Sequence, residues 1–320
     1  MAVLRMRFRV RHLLLAIAIA AMFLTTTCYQ FVSQKSHPCL KPSVECRVIQ
    51  HEFGETCVPM KPQRIVALSP DRNLDPLIAL GIKPIGYTAD NVGGKEIIGS
   101  VSLDDVKGVT NVGKSDQPSL EKIFVLKPDL ILATKHHPYK LLSAIAPTVP
   151  VPHDQSVNEA LFKQDLRYVA KVLGEEAKAE EVLSRYYRRI EDFKKRLGNQ
   201  LEQIAISVIY YASGYVYMPM KNGDASADVL IDTGLRYRRA VPGKTSSIET
   251  IEDYNTDVLF IINIERKPLS FFLQHPLFSR LKVFQNNRVY LVDLEKWDTR
   301  GILGANKVLD DLEKYLVSLP

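Results

Sequence analysis

Residues 119–132 read SLEKIFVLKPDLIL, and residues 247–260 read SIETIEDYNTDVLF. At an offset of 128, Ser119 falls on Ser247, Glu121 on Glu249, Ile123 on Ile251 and Asp129 on Asp257, with aliphatic swaps between them. Each copy reads as a short helix, a turn and a buried strand. A chain that states this unit twice is expected to build two similar lobes. Its 320 residues leave room for both, since single domains cluster near ~100–150 residues.

The segments around each copy support that reading. RIVALS (64–69) is an apolar run between Pro62 and Pro70, as a buried strand requires, and DRNLDPLIALGI reads as a helix closed by Gly81 and leading into the strand PIGYT. YKLLSAIAP supplies a further helix and TVPVP a further strand. In the second half, Ile204–Tyr211 reads as a strand, SADVLIDTGL as a helix ending at Gly234, NNRVYLVD as a strand and ILGANKVLDDLEKYLVSL as a C-terminal helix. Strands alternating with helices imply βαβ units and a mostly parallel sheet in each lobe. The expected fold class is α/β, with two Rossmann-like lobes and a ligand cleft between them. Between the halves, residues 158–197 contain no proline and one glycine, with apolar residues at helical spacing. One long stiff helix connecting the lobes is expected there, with Gly174 the position where the pattern admits a break. The boundaries that follow are 45–157 for the N-terminal lobe, 158–197 for the connecting helix and 198–320 for the C-terminal lobe.

The N-terminus is of another kind. Arg5, Arg7, Arg9 and Arg11 precede a 12-residue apolar run from Leu13 to Leu24, too short to span a bilayer that needs ~20 apolar residues. This reads as an export signal over residues 1–28. Leu24-Thr25-Thr26-Thr27-Cys28 resembles a bacterial lipobox, although the leucine stands four residues before the cysteine where three is usual. Lipidation of Cys28 is the expectation, with ordinary cleavage nearby or an uncleaved anchor through Val32 as alternatives. Loss of residues 1–28 leaves 38 basic against 36 acidic residues, so no basic nucleic-acid-binding surface is implied. In CRVIQHEFGETC, two short strands joined by a turn at Glu52–Glu55 bring Cys46 and Cys57 across from each other, and a disulfide between them is the first choice in an oxidising compartment. Cys39 is left over in a Ser/Lys/Pro-rich tether (29–44).

Several segments, in order, carry a family resemblance. They include HEFGETCVPMKPQRIVAL, DPLIALGIKPIGY, NVGKSDQPSLEKIFVLKPDLILA, the connecting helix, ASADVLIDTGL, SIETIEDYNTDVLFI and HPLFSRLKVFQNNRVYLVD with WDTRGILGANKVLDDLEKYL. Over roughly residues 45–320 the chain resembles the class III periplasmic substrate-binding proteins of ABC importers, in the iron–siderophore branch that also holds vitamin B12 and haem binders. Its last segment looks most like cyanobacterial members. The resemblance implies a non-enzymatic, monomeric periplasmic scavenger, anchored to the inner membrane if Cys28 is lipidated. Such a protein holds a ferric siderophore as transported ligand and delivers it to a permease dimer with its ATPase subunits. It also implies that Glu121 and Glu249 meet arginines on the permease; the alternative for Glu249 is a capping box begun by Ser246.

Ligands of open α/β sheets sit beyond the carboxyl ends of the strands. A ferric chelate brings its iron already coordinated and presents a compact, often anionic surface, so its binder needs cations and aromatic faces. By resemblance, Lys114 stands where hydroxamate-siderophore binders carry a basic contact, and Trp297 matches a cleft aromatic. Arg300 lies in the same Trp297–Arg300 loop, while Arg72, Lys135 and Tyr217 are candidates through their positions on cleft loops. The plainer reading is a solvated cation in each case, and a Trp297 packed beneath its loop. His136-His137 has no companions at metal-ligand spacing, so no direct metal site is expected. GxSxG, HExxH, Walker and GxGxxG patterns are absent, and no nucleophile–base set supports the rival reading of a secreted α/β enzyme. Haem stays open through Tyr210, Tyr211, Tyr215 and Tyr217, which offer axial oxygens.

Overall fold

The computed structural model describes residues 45–92, 95–153, 156, 158–221, 223–238 and 246–317. The export segment, Cys28, the tether and Cys39 lie outside the described residues.

The body begins with an antiparallel hairpin, β1 (Cys46–His51) and β2 (Gly54–Pro59), closed by a Cys46–Cys57 disulfide with Cα atoms 5.5 Å apart. In register, Cys46 faces Pro59 and Cys57 faces Val48, so the disulfide crosses the hairpin diagonally rather than joining facing residues. The hairpin clasps the lobe behind it. Phe53 stacks on Tyr139 at 4.7 Å between ring centroids, Thr56 Oγ1 donates to the Thr148 carbonyl at 3.0 Å, and Arg47 donates to the Val172 carbonyl at 3.0 Å.

The first lobe is built on β3 (Ile65–Ala67) and β4 (Gly86–Tyr87), with a two-stranded excursion β5 (Asp90–Val92) and β6 (Lys95–Ile97), then β7 (Thr110–Asn111), β8 (Leu130–Thr134) and β9 (Thr148–Val151). Among the described residues its sheet runs β7-β4-β3-β8-β9, parallel throughout. Full burial of β3, β8 and β9 explains why they read as unbroken apolar runs. A turn of π-helix, Pro70–Leu74, leads into α1 (Asp75–Ala79), and α2 is Leu120–Leu126.

The second lobe comprises β10 (Ala205–Ala212), β11 (Tyr215–Tyr217), β12 (Arg236–Tyr237), β13 (Ser246–Ser247), β14 (Val258–Asn263) and β15 (Val289–Val292). Parallel β12, β10, β14 and β15 reproduce the order of β4, β3, β8 and β9. The expected parallel pattern is broken on one edge, where the Ser213-Gly214 turn sends β11 back antiparallel to β10 and β13 pairs antiparallel with β11. The repeat has a concrete local meaning. Ser119 and Ser247 each cap a helix by accepting a backbone N–H, from Lys122 at 3.3 Å and Glu249 at 3.4 Å, and Ile123 and Ile251 are both fully buried. The Asp129 carboxylate accepts the amides of Gln63 and Arg64 at the entry to β3, and Asp257 accepts that of Ala205 at the start of β10. Because Ser247 is the N-cap, the capping box begun by Ser246 does not form. The second copy also winds as a 3₁₀ helix, Ile248–Tyr254.

The single connecting helix expected over 158–197 is two helices, α3 (Leu161–Leu173) and the 22-residue α4 (Glu176–Leu197). Gly174, in the left-handed region at φ 76°, terminates α3, as glycine does where a side chain would be strained. In α4, Ala179, Val182, Leu183, Tyr186, Ile190, Phe193 and Leu197 form one buried stripe, and Lys194, Lys195 and Arg196 complement the dipole of its last turn. From α3, buried Lys163 reaches Asp232 on α5 (Ala225–Asp232) at 2.7 Å, and Tyr186 donates to the same carboxylate at 2.7 Å. The chain closes with α6 (Leu294–Trp297) and α7 (Ile302–Leu316), the latter packing against α1, α3, α4 and α5. No described helix is long and apolar enough to cross a membrane.

Candidate functional site

Strands β3, β8 and β9 are neighbours and parallel, so their carboxyl ends open side by side. Asp71 and Arg72 follow β3, exposed Lys135 and His136 follow β8, and exposed His153 follows β9. From the second lobe the loop after α6 brings exposed Arg300. The groups acting electrostatically on His153 are Arg72, Lys135, Arg300 and His136; with partial burial, they hold its imidazole below the usual range. Arg72, Lys135 and His136 from two strand ends, and Arg300 from the opposite lobe, therefore act together on the imidazole at the end of a third strand.

These cations are not equivalent. Arg72 donates to both carboxylate oxygens of Asp165 on α3, at 3.0 and 2.6 Å, and to the carbonyls of Val151 and Pro152. This corrects its expected role: its fork is committed to holding α3 against β9. Burial outweighs that pairing for Asp165, whose carboxyl is pushed up to about 6. Lys135 and Arg300 remain exposed. Lys114 is exposed too, on a loop pinned by buried His137, whose Nε2 donates to the Ser115 carbonyl at 2.8 Å while Nδ1 accepts the Thr134 amide at 2.9 Å. Lys114 is not among the main influences on His153. The His137 ring is thus occupied in joining two loops, and no group of three potential metal ligands occurs among the described residues.

Trp297 is the clearest correction. It is fully buried, stacked on Phe260 at 4.9 Å, and its indole N–H donates to Asp311 on α7 at 2.9 Å. The loop alternates: Trp297 and Thr299 face inward, while Asp298 and Arg300 face out. An aromatic wall beside this loop is formed on β10 and β11, where buried Tyr210 and Tyr217 stack at 4.7 Å and 10° and only Tyr217 is left partly open. Tyr217 is half-buried there, and Tyr210 donates to Asp298 at 3.0 Å. Burial, then the neighbouring carboxylates Asp224 and Asp298, push the Tyr210 hydroxyl well up, and burial likewise raises Tyr217.

The sequence pattern did not mark His136 and His153 as neighbours of Lys135 and Arg300 in the cleft. It also passed over the loop after β14, where Asn263, Arg266, Lys267, Asp293 and Glu295 line a cavity of about 350 Å³. The repeat carried the signal for that loop, because Asn263 is the 128-residue counterpart of Lys135.

Two α/β lobes with basic and tyrosine side chains on the loops and strands that border the space between them have the build of a two-lobed solute-capture protein. The chain belongs to the periplasmic binding protein family, which matches residues 65–295. It is 31% identical over 307 residues to the probable siderophore-binding lipoprotein YfiY of Bacillus subtilis, covering 86% of this chain and 89% of that one. It is also 31% identical over 283 residues to the Fe(3+)-citrate-binding protein YfmC of the same organism, covering 85% and 86%. Among solved structures, Staphylococcus aureus SirA complexed with staphyloferrin B superposes with a TM-score of 0.66 at 25% identity, covering 84% of this chain and 98% of that one.

Proposed function

We propose that this chain is the periplasmic substrate-binding component of an ABC importer, capturing a ferric siderophore between its lobes and delivering it to an inner-membrane permease dimer served by ATPase subunits. The observation that carries the reading is that Lys135, on the loop after β8, and Arg300, on the loop after α6, are both exposed cations and both act on His153 at the end of β9. Such a site suits an iron that arrives already wrapped in an anionic chelator, because cations recognise the chelate's periphery. Corrinoid and haem are less well served. Tyr210, the most deeply placed tyrosine of the wall, already donates its hydroxyl to Asp298 and stacks on Tyr217.

Docking falls to the repeat. Glu121 and Glu249 are both exposed at the starts of their helices. Near Glu121, Phe124 and Val125 are 67% and 70% exposed, so a partner docking there would also cover apolar surface. Lipidation of Cys28 would hold the monomeric protein at the inner membrane near its permease.

One experiment tests capture and docking together: uptake of ferric chelate by cells lacking the chain, complemented by wild type or by Glu121→Ala with Glu249→Ala. Wild type is expected to restore uptake, and the double variant to fail while binding the chelate normally. Uptake indifferent to loss of the chain would overturn the function; normal uptake by a folded double variant would overturn the docking role alone.

A further inference from the structure

The loop that carries Arg300 is held from the opposite lobe. Asp75, on α1 of the first lobe, is fully buried, and both its carboxylate oxygens lie 3.2 Å from the backbone amide of Leu303. Through that amide the first turn of α7 is capped by a residue 228 positions away, and the amides of Ile302 and Gly304 also favour the charged form of the carboxyl. One turn earlier, Asp71 lies close enough to Arg300 for that residue's charge and backbone amide to offset part of the burial that raises its carboxyl. Ser100 bonds the hydroxyl of fully buried Thr299, and Lys307 on α7 donates to the Ser100 carbonyl at 2.6 Å. On the other side, Ala225 at the start of α5 donates to the Thr299 carbonyl at 2.8 Å.

We infer that Asp75 is a positioning residue for ligand capture: by capping α7 from across the cleft it seats Thr299 inward and so presents Asp298 and Arg300 outward, toward the tyrosine wall and the basic cluster. The inference rests on Arg300 contacting the chelate. Geometry carries it. Gly301 leaves no space for a side chain, since a Cβ there would lie 2.1 Å from Asp75 Cγ, and one on Gly304 would lie 1.9 Å from Thr299 Oγ1. Loop and carboxylate are therefore in contact as well as hydrogen-bonded. The charges around the pair are few: Arg300, Asp298 and Asp90 act on Asp71, and Asp71 acts on Asp75. Burial without a cationic side chain at Asp75 pushes its carboxyl up to about 8, a cost tolerated here because the Leu303 amide at the helix start needs an acceptor.

The test is a double-mutant cycle on Asp75→Ala and Gly301→Ala, with Arg300→Ala as reference. The probe is the tightest binder among ferric citrate, a ferric tris-catecholate and a ferric tris-hydroxamate. Gly301 has φ −106°, so alanine is acceptable to its backbone and only the contact with Asp75 is disturbed. Each single variant is expected to raise Kd at least tenfold with cooperative unfolding retained. The double variant should lose no more than the worse single one, because removing Asp75 frees the space that the added methyl needs. Emission from Trp297, the sole tryptophan and the residue that ends α6, should shift in both single variants. A Gly301→Ala protein that binds like wild type, or single losses that multiply in the double variant, would overturn the positioning role even if Asp75→Ala proved too unstable to study. If Arg300→Ala binds normally, the contact reading fails and the inference falls with it. If Arg300→Ala is weak while Gly301→Ala is normal, the inference alone fails.

Discussion

At the scale of single residues, the loop 297–300 shows how the chain separates support from contact. Trp297→Phe is expected to leave chelate affinity unchanged and to cost about 1–3 kcal/mol of stability, because it strips the buried Asp311 carboxylate of its indole donor. Urea unfolding and calorimetric titration of the one variant measure both; lost affinity at unchanged stability would return Trp297 to the ligand. The loop alternates a buried aromatic and a buried threonine with an exposed aspartate and an exposed arginine, a pattern the sequence carries in its residue types. What misled was the resemblance, which put the ring in the cleft. Arg72 misled for a different reason. Its partner Asp165 lies 93 residues away on a helix that a pattern of apolar spacing treats as plain amphipathic surface, so no local signal marks that arginine as already committed.

Among the elements, α1 and α3 each bury a carboxylate, and the π-turn before α1 buries a third. Asp71 and Asp165 are pushed to about 6 and Asp75 to about 8, all above the ordinary 3.8 and chiefly through burial. A group whose folded pKa is raised contributes stability that is complete below the unfolded value and is lost as pH rises through the folded value. The melting temperature should therefore fall as pH rises from about 4 to about 8, in a steeper step up to about 6 and a shallower upper step from there to about 8. Asp75→Asn should flatten the upper step; a wild-type profile that rises across this range would contradict the burial of these charges. Element identity was largely readable, since strands as apolar as β8 and β14 and a stripe as regular as that of α4 follow from periodicity. Two departures have identifiable causes. Gly174 supplies the left-handed residue that ends α3, and the Ser213-Gly214 turn reverses β11 against the parallel grain of the sheet.

For the whole molecule, the repeat announced two lobes, and its matched serines, isoleucines and aspartates do the same local work in each. Contacts that join the lobes were beyond the reach of any local pattern. Asp75 with Leu303 and Ser100 with Thr299 are pairs about 200 residues apart, and only the folded chain brings them together. The cleft's chemistry was half legible: Lys135 follows the end of β8 and Arg300 the short helix after β15, both on loops the topology singles out, while His136 and His153 gain meaning only from their neighbours. The central claim is that this cleft holds a ferric chelate through its periphery. Calorimetric titration of the mature protein with ferric citrate, a ferric catecholate, a ferric hydroxamate, their iron-free chelators, cobalamin and haem tests it most directly. One ferric class should bind at submicromolar Kd, with its iron-free chelator much weaker and with loss of affinity in Arg300→Ala. Saturable binding of cobalamin or haem with no response to any ferric chelate would contradict the account.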